Sequence, residues 1–343
     1  MSSPIRLIDV ANEAGVSRVA AGHVLLGSGK GSVRVSDDAK KRILEASNKL
    51  GYQPNRSAQR LSGATGNLIG AVVGPNAPES ERDRLVALEK ISRERGYQLL
   101  ITSGSGGGFK NALESASLLT AQGAAGILFL TAGIRLTGRE DNPNLPTHGV
   151  YCGIPENIGS APGVVLDLAH GYRLAIQHFA ETGRKRVGVL NVDLGNHRSA
   201  FSKHRMNAVN DEANLIGGIE IVPYFTPVEK GSRTITSTVA EELISSAIAD
   251  KVDAILAHND TSAARIIQAL HNRGLHVPQD VAICGLNNLA ISDLTSPPLT
   301  TIDERAEDIA TAMLEILLER FEAPDAPAAQ RTIKPKLIVR QST

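Results

Sequence analysis

The chain has 343 residues, 42% of them hydrophobic and 21% charged, with a formal net charge of zero. That length suits two or three domains with a sizeable core, and the balanced charge excludes a protein that coats nucleic acid along its whole surface. Its two cysteines, Cys152 and Cys284, have no metal-ligand spacing. Both sit in apolar strand-like runs and read as buried thiols in a reducing compartment.

The charge is unevenly spread. Residues 1–66 hold ten Lys/Arg and five Asp/Glu, a net of +5 that leaves −5 for the remainder. A basic head on an acidic body points to a polyanionic partner for the head alone. Leu7, Val10, Ala11 and Ala14 recur at helical spacing and predict a first helix. Gly15 ends it where positive φ is wanted. Ser17 caps a second helix, whose first-turn residues Arg18 and Val19 project outward while Ala21 and Val24 face in. Two helices held across such a turn place side chains in a DNA major groove. There Arg18 suits a guanine edge and Val19 a thymine methyl. A third helix begins near Ser36, presents Ala39, Ile43, Ala46 and Leu50 on one stripe, and stops at Gly51. The alternative reading of the same pattern is a small helical bundle packed on the body. The loop GSGKGS, 27–32, lacks the order of a phosphate-binding loop and reads as a turn.

Next comes GYQPNRSAQRLSG, 51–63. Asn55 to Leu61 makes about two helical turns, too short to be stable alone. Arg56 and Arg60 suit phosphates, and an apolar Leu61 on a conditional helix suits a minor-groove wedge. A plain linker, with Leu61 packed on the body, is the other reading.

The runs DVANEAGVS, VRVSDDAKKRILEASNKLGYQPNRSAQRL, VDAILAHND, VPQDVAICGLNN, PPLTTID and LIVRQST, in this order from residue 5 to the end, resemble the lactose-repressor (LacI) family of transcription regulators. The resemblance implies an all-α helix-turn-helix head (1–53), a hinge helix and linker (54–66), and an α/β two-lobed core like type I periplasmic binding proteins (67–343). The core lobes are expected at about 67–165 and 166–302, with 303–343 shared by three crossings between them. It also implies a homodimer on a pseudopalindromic operator, which gives a small head useful affinity. The DNA-contact set is then Ser17, Arg18, Val19, His23, Arg34, Asn55, Arg56, Ala58 and Leu61. One departure bears on that set. Where the family commonly reads V-S-x-x-T-V-S-R, this chain has Ala20, Gly22 and His23, so two hydroxyls are absent and the operator is expected to differ from familiar family sites. Arg18, Lys30 and Arg34 offer compensation.

From residue 67 onward strand-like and helical runs alternate, as in parallel sheets flanked by helices. Strands are predicted at 68–73, 97–102, 126–130, 148–152, 186–190, 219–224, 253–257 and 281–286. Helices are predicted at 82–95, 111–122, 170–182, 203–213, 236–249, 261–273 and 304–321, giving two halves of about five strands. Ligands bind beyond the carboxyl ends of such strands, so the cleft between halves is the expected site. Polar or aromatic residues there are Asn76, Tyr151, Asp167, Asn259 and Asp260. The resemblance adds Arg205, which matches the family's arginine, Phe225 as an aromatic wall, and Asn287 where the family more often has aspartate. For each, the plainer alternative is helix or strand capping. The glycine-rich loop 102–110 has no dinucleotide spacing and reads as a surface turn.

No H-E-x-x-H, G-x-S-x-G or Cys-rich pattern occurs, and the nine histidines are scattered; no catalysis, metal or cofactor is expected. The best reading is a sequence-specific DNA-binding repressor controlled by a sugar or related metabolite. Its alternative is a solute-binding protein of the same core without DNA binding, against which the basic head argues. With no secretory signal pattern and no membrane-length apolar run, a cytoplasmic protein without membrane contact is expected.

Overall fold

The computed structural model describes residues 5–26, 35–52, 67–74, 77–103, 108–139, 142–193, 200–227 and 234–343. The chain divides into two compact units, Met1–Gly66 and Asn67–Thr343.

In the first unit, three helices run α1 (Leu7–Ala14), α2 (Arg18–Leu26) and α3 (Asp37–Leu50). Local chemistry sets their ends. Gly15 and Gly51 adopt left-handed φ of 62° and 64° and close α1 and α3. Ser17 Oγ accepts from the Ala20 amide at 3.1 Å, and Ser36 Oγ from that of Ala39 at 3.3 Å, satisfying orphan donors of α2 and α3. Val10, Ala11, Ala14, Ala21, Ile43 and Ala46 form the core. Arg42 Nη1 donates to Ala14 O at 2.9 Å, tying α3 to the end of α1.

The second unit holds two six-stranded sheets. In the first lobe, β1 (Leu68–Val73), β2 (Gln98–Ser103), β3 (Gly126–Phe129), β4 (Gly149–Gly153) and β5 (Gly163–Leu166) are flanked by helices α4 (Glu79–Glu94), α5 (Gly108–Ala121) and the short α6 (Pro155–Ile158). The chain then enters the second lobe through α7 (Leu168–Glu181), β6 (Arg186–Asp193), α8 (Ala200–Ile216), β7 (Glu220–Pro227), α9 (Ser237–Ala249), β8 (Ala254–Leu256), α10 (Asp260–Asn272), β9 (Ala282–Leu286), α11 (Ile291–Leu294) and β10 (Thr300–Asp303). Helix α12 (Ala306–Glu322) returns to the first lobe against α4. Strand β11 (Gln330–Ile333) pairs with β5, and β12 (Lys336–Ile338) pairs antiparallel with β10 of the second sheet. The chain therefore crosses between lobes three times.

Strand orders are β11-β5-β4-β3-β1-β2 and β12-β10-β9-β8-β6-β7. Inner strands are buried on both faces, as in β1, LIGAVV. Continuous apolar runs are what a parallel strand covered by helices on both sides requires. Six strands per lobe, rather than about five, reflect β5, β10, β11 and β12. These have only three or four residues; β10, β11 and β12 carry Thr, Gln, Arg or Lys, so no apolar run announces them, and the apolar run of β5, GVVL, is only four residues long.

Candidate effector cleft and nucleic-acid interface

In the head, Ser17, Arg18 and Val19 are all exposed at the start of α2, with Val19 62% accessible. The N-terminus of a helix directs free N–H groups outward, so this corner joins a cation, a hydroxyl, a methyl-bearing side chain and a positive dipole end. His23 is half-buried, and its Nδ1 is buried without a hydrogen-bond partner among the described residues. Gly22 is buried and Ala20 half-buried. Arg34, Asn55, Arg56, Ala58 and Leu61, together with Lys30 and the hinge 54–62, lie outside the described residues.

In the core, a cavity of about 590 Å³ opens between the lobes at the carboxyl ends of their strands. The first lobe contributes Glu81 and Arg84 from α4 and Asn157 from α6. The second contributes Arg205 from α8 and His258, Asn259 and Asn287 from the ends of β8 and β9. Tyr172 and Phe201 add aromatic surface, and Glu304 lies where the chain leaves β10.

Arg205 is 7% exposed. Its guanidinium donates to Leu190 O at 2.6 Å, to the Tyr172 hydroxyl at 3.4 Å and to His258 O at 3.5 Å, and stands 5.0 Å from the Tyr172 ring centroid. These partners fix its plane against the cavity. Asn259 accepts from the Ser262 amide at 2.8 Å and so caps α10 while lining the cavity. Asn287 takes φ of 102°, and its amide donates to Ile302 O at 2.8 Å. Among the expected effector residues, these three face the cavity.

Four others do not line it. Tyr151 stacks on Phe129, with ring centroids 4.4 Å apart, in the apolar layer on one side of the first sheet. Burial pushes its phenol above the ordinary range. Strand alternation is the cause: Val150 and Cys152 face the other core layer. Asp167 Oδ1 accepts from the His170 amide at 3.1 Å and caps α7. Phe225 is on the edge strand β7. Asp260 is fully buried. It accepts from Thr301 Oγ1 at 2.5 Å and the Leu289 amide at 2.6 Å, and desolvation pushes its carboxyl up to about 7. Asn76 lies outside the described residues.

Sequence reasoning missed Glu81, Arg84, Asn157, His258 and Glu304. The run ESERDR is densely charged, yet Glu81 and Arg84 are each 2% exposed. Their i,i+3 spacing was the available signal, since it places both on one side of α4. Cys152 and Cys284 are free and buried, and burial pushes the Cys152 thiol up to about 11. No group of His, Cys, Asp and Glu among the described residues is arranged to hold a metal.

A helix-turn-helix head and a two-lobed α/β core with a polar interlobe cavity define a DNA-binding transcriptional regulator with a sensing core. Residues 6–55 match bacterial regulatory proteins of the lacI family, and residues 176–343 match the periplasmic binding protein-like domain. The chain thus joins a LacI-family helix-turn-helix domain to a periplasmic binding protein-like domain. It is 28% identical over 345 residues to the HTH-type transcriptional repressor PurR of Mannheimia succiniciproducens, covering 97% of each chain. It is 27% identical over 349 residues to the HTH-type transcriptional regulator CelR of Thermobifida fusca, covering 97% of this chain and 96% of the relative. The Lac repressor bound to ONPG in its repressed state superposes with a TM-score of 0.82 at 20% identity, covering 99% of this chain and all of that one. That likeness speaks for the fold.

Proposed function

We propose that the chain represses transcription as a homodimer on a pseudopalindromic operator, under the control of a small polar metabolite bound between the lobes. The observation that carries this reading is the cavity. It lies at the strand ends and draws charged and amide groups from both lobes, so an occupant contacts both at once. A ligand shifts an equilibrium only through different affinities for its two states, and a site split between two bodies supplies that difference.

In this reading 1–53 is the DNA-binding domain, 54–66 the hinge and 67–343 the effector and dimerisation core. Ser17, Arg18 and Val19 read bases, His23 and Arg34 support them, and Asn55, Arg56, Ala58 and Leu61 engage the minor groove. Arg205, Asn259 and Asn287 hold the effector, joined by Glu81, Arg84 and Asn157. Among the described residues, the cavity's His258 meets Ser262 Oγ at 3.3 Å, but that hydroxyl is fully buried and does not line the cavity, so a binding role is favoured over catalysis. Action on operator DNA favours a cytoplasmic protein; among the described residues, no helix is long and apolar enough to cross a membrane.

The test selects duplexes bound by the full chain from a random pool, then measures anisotropy of the winner against a panel of sugars, nucleobases and small acids. A palindromic consensus whose binding one class alters is expected. No preferred duplex under any condition overturns the reading.

A further inference from the structure

Two contacts join the lobes at the rim of the cavity. On one side, Thr261 Oγ1 of α10 donates to Glu79 Oε2 of α4 at 2.8 Å. On the other, the Nδ1 of His204 on α8 meets Glu156 Oε1 on α6 at 2.9 Å. None of the four lines the cavity, but each stands beside residues that do. Pro78 and Ser80 flank Glu79, Asn259 precedes Thr261 by two, Asn157 follows Glu156, and Arg205 follows His204. The His204 side chain is only 11% exposed, and its Nε2 is buried without a hydrogen-bond partner among the described residues.

We propose that Glu79, Thr261, Glu156 and His204 are positioning residues, two clasps that hold the lobes together over the cavity and set how often it opens. This rests on the cavity being the effector site. The clasps link different strand ends, β1 to β8 and β4 to β6, so a hinge-like opening breaks both. The contact between Arg84 and Glu304 instead sits beside the crossing after β10 and acts as the pivot. A ligand enters most readily from the open state, so the population of that state scales the rate at which the cavity takes it up.

The test uses the full chain without DNA or small molecule, carrying Ser202→Cys as a cavity thiol. Ser202 lines the cavity and is 6% exposed, so a thiol there is labelled only on opening. The native Cys152 and Cys284, buried in the first and second sheets, report loss of fold in the same experiment. Glu79→Gln with Thr261→Val, and separately Glu156→Ala with His204→Leu, each accelerate labelling at position 202 by about fivefold, the ratio expected from one net hydrogen bond. All four together accelerate it further. Glu156→Gln, which keeps an acceptor, stays near the parental rate. So does Arg273→Ala, which removes an ion pair with Glu241 inside the second lobe. Parental labelling in the four-residue variant overturns the proposal. So does acceleration matched at Cys152 and Cys284, which would mean unfolding rather than opening. Because no DNA is present, either result stands apart from whether the chain regulates transcription.

Discussion

Arg84 and Glu304 form an ion pair with side chains only 3% and 9% exposed, joining α4 of the first lobe to the segment that leaves β10. Arg84 Nη1 also donates to Leu130 O at 3.3 Å. Burial works against the guanidinium charge, but Glu304 overrides it and holds Arg84 more firmly protonated than a free arginine. Removing one partner strands a buried charge, and the usual cost is about 3–5 kcal/mol. Glu304→Ala should therefore lower stability by that order in urea unfolding, whereas Arg84→Met combined with Glu304→Met should recover most of the loss. A loss in the double variant equal to the sum of the two single losses would mean the pair is not coupled.

Arg205 is held by oxygens of Leu190, Tyr172 and His258 rather than by a carboxylate. Its charge is thus left to face the cavity. Arg205→Ala should abolish the response to the metabolite found by the anisotropy panel while leaving operator affinity within about twofold, since interactions at separate sites add. Arg205→Lys should restore little, because an ammonium cannot reproduce the fixed fork. A loss of operator affinity equal to the loss of response would assign Arg205 to folding.

Asp260 makes stability fall with rising pH over one window. Burial raises its carboxyl from 3.8 to about 7, against the opposing hydrogen bonds of Thr301 and Leu289. Between those values the folded state keeps a proton that the unfolded state has released, so its contribution is full below the lower value and is lost as pH rises through the upper one. Thermal unfolding of Asp260→Asn, compared with the parent across that window, should show a shallower decline with pH. Parallel profiles would contradict the assignment.

Part of this architecture is plain in the residues. Gly15 and Ser17 mark the end of α1 and the cap of α2, and LIGAVV coincides with β1 because a doubly covered strand needs an unbroken apolar run. Periodicity is silent on β10, β11 and β12, whose places come from pairing partners far away in sequence. The cleft is legible to the same extent. Arg205 and Asn287 follow from the family resemblance and Asn259 from its strand end. Its neighbour Asp260 turns inward, a difference of one residue in a cap that no local pattern announces. Glu81 and Arg84 are not legible there, because tertiary contact with α12 and the second lobe, not helix patterning, buries that face.

Arg18 lies exposed at the start of α2. Arg18→Ala should relax specificity at one base pair by about 1–3 kcal/mol, read as altered preference in binding to duplexes substituted position by position. A uniform loss over all sequences would make it a phosphate contact.

The most direct measurement follows binding of the full chain to its selected duplex over a range of salt, with and without the metabolite from the panel. A basic head of net +5 that neutralises phosphates predicts a steep linear fall of log affinity with log salt, a palindromic preference over competitor, and a shift of the whole line when metabolite is added. Binding that is indifferent to salt, to duplex sequence and to the metabolite would contradict the account.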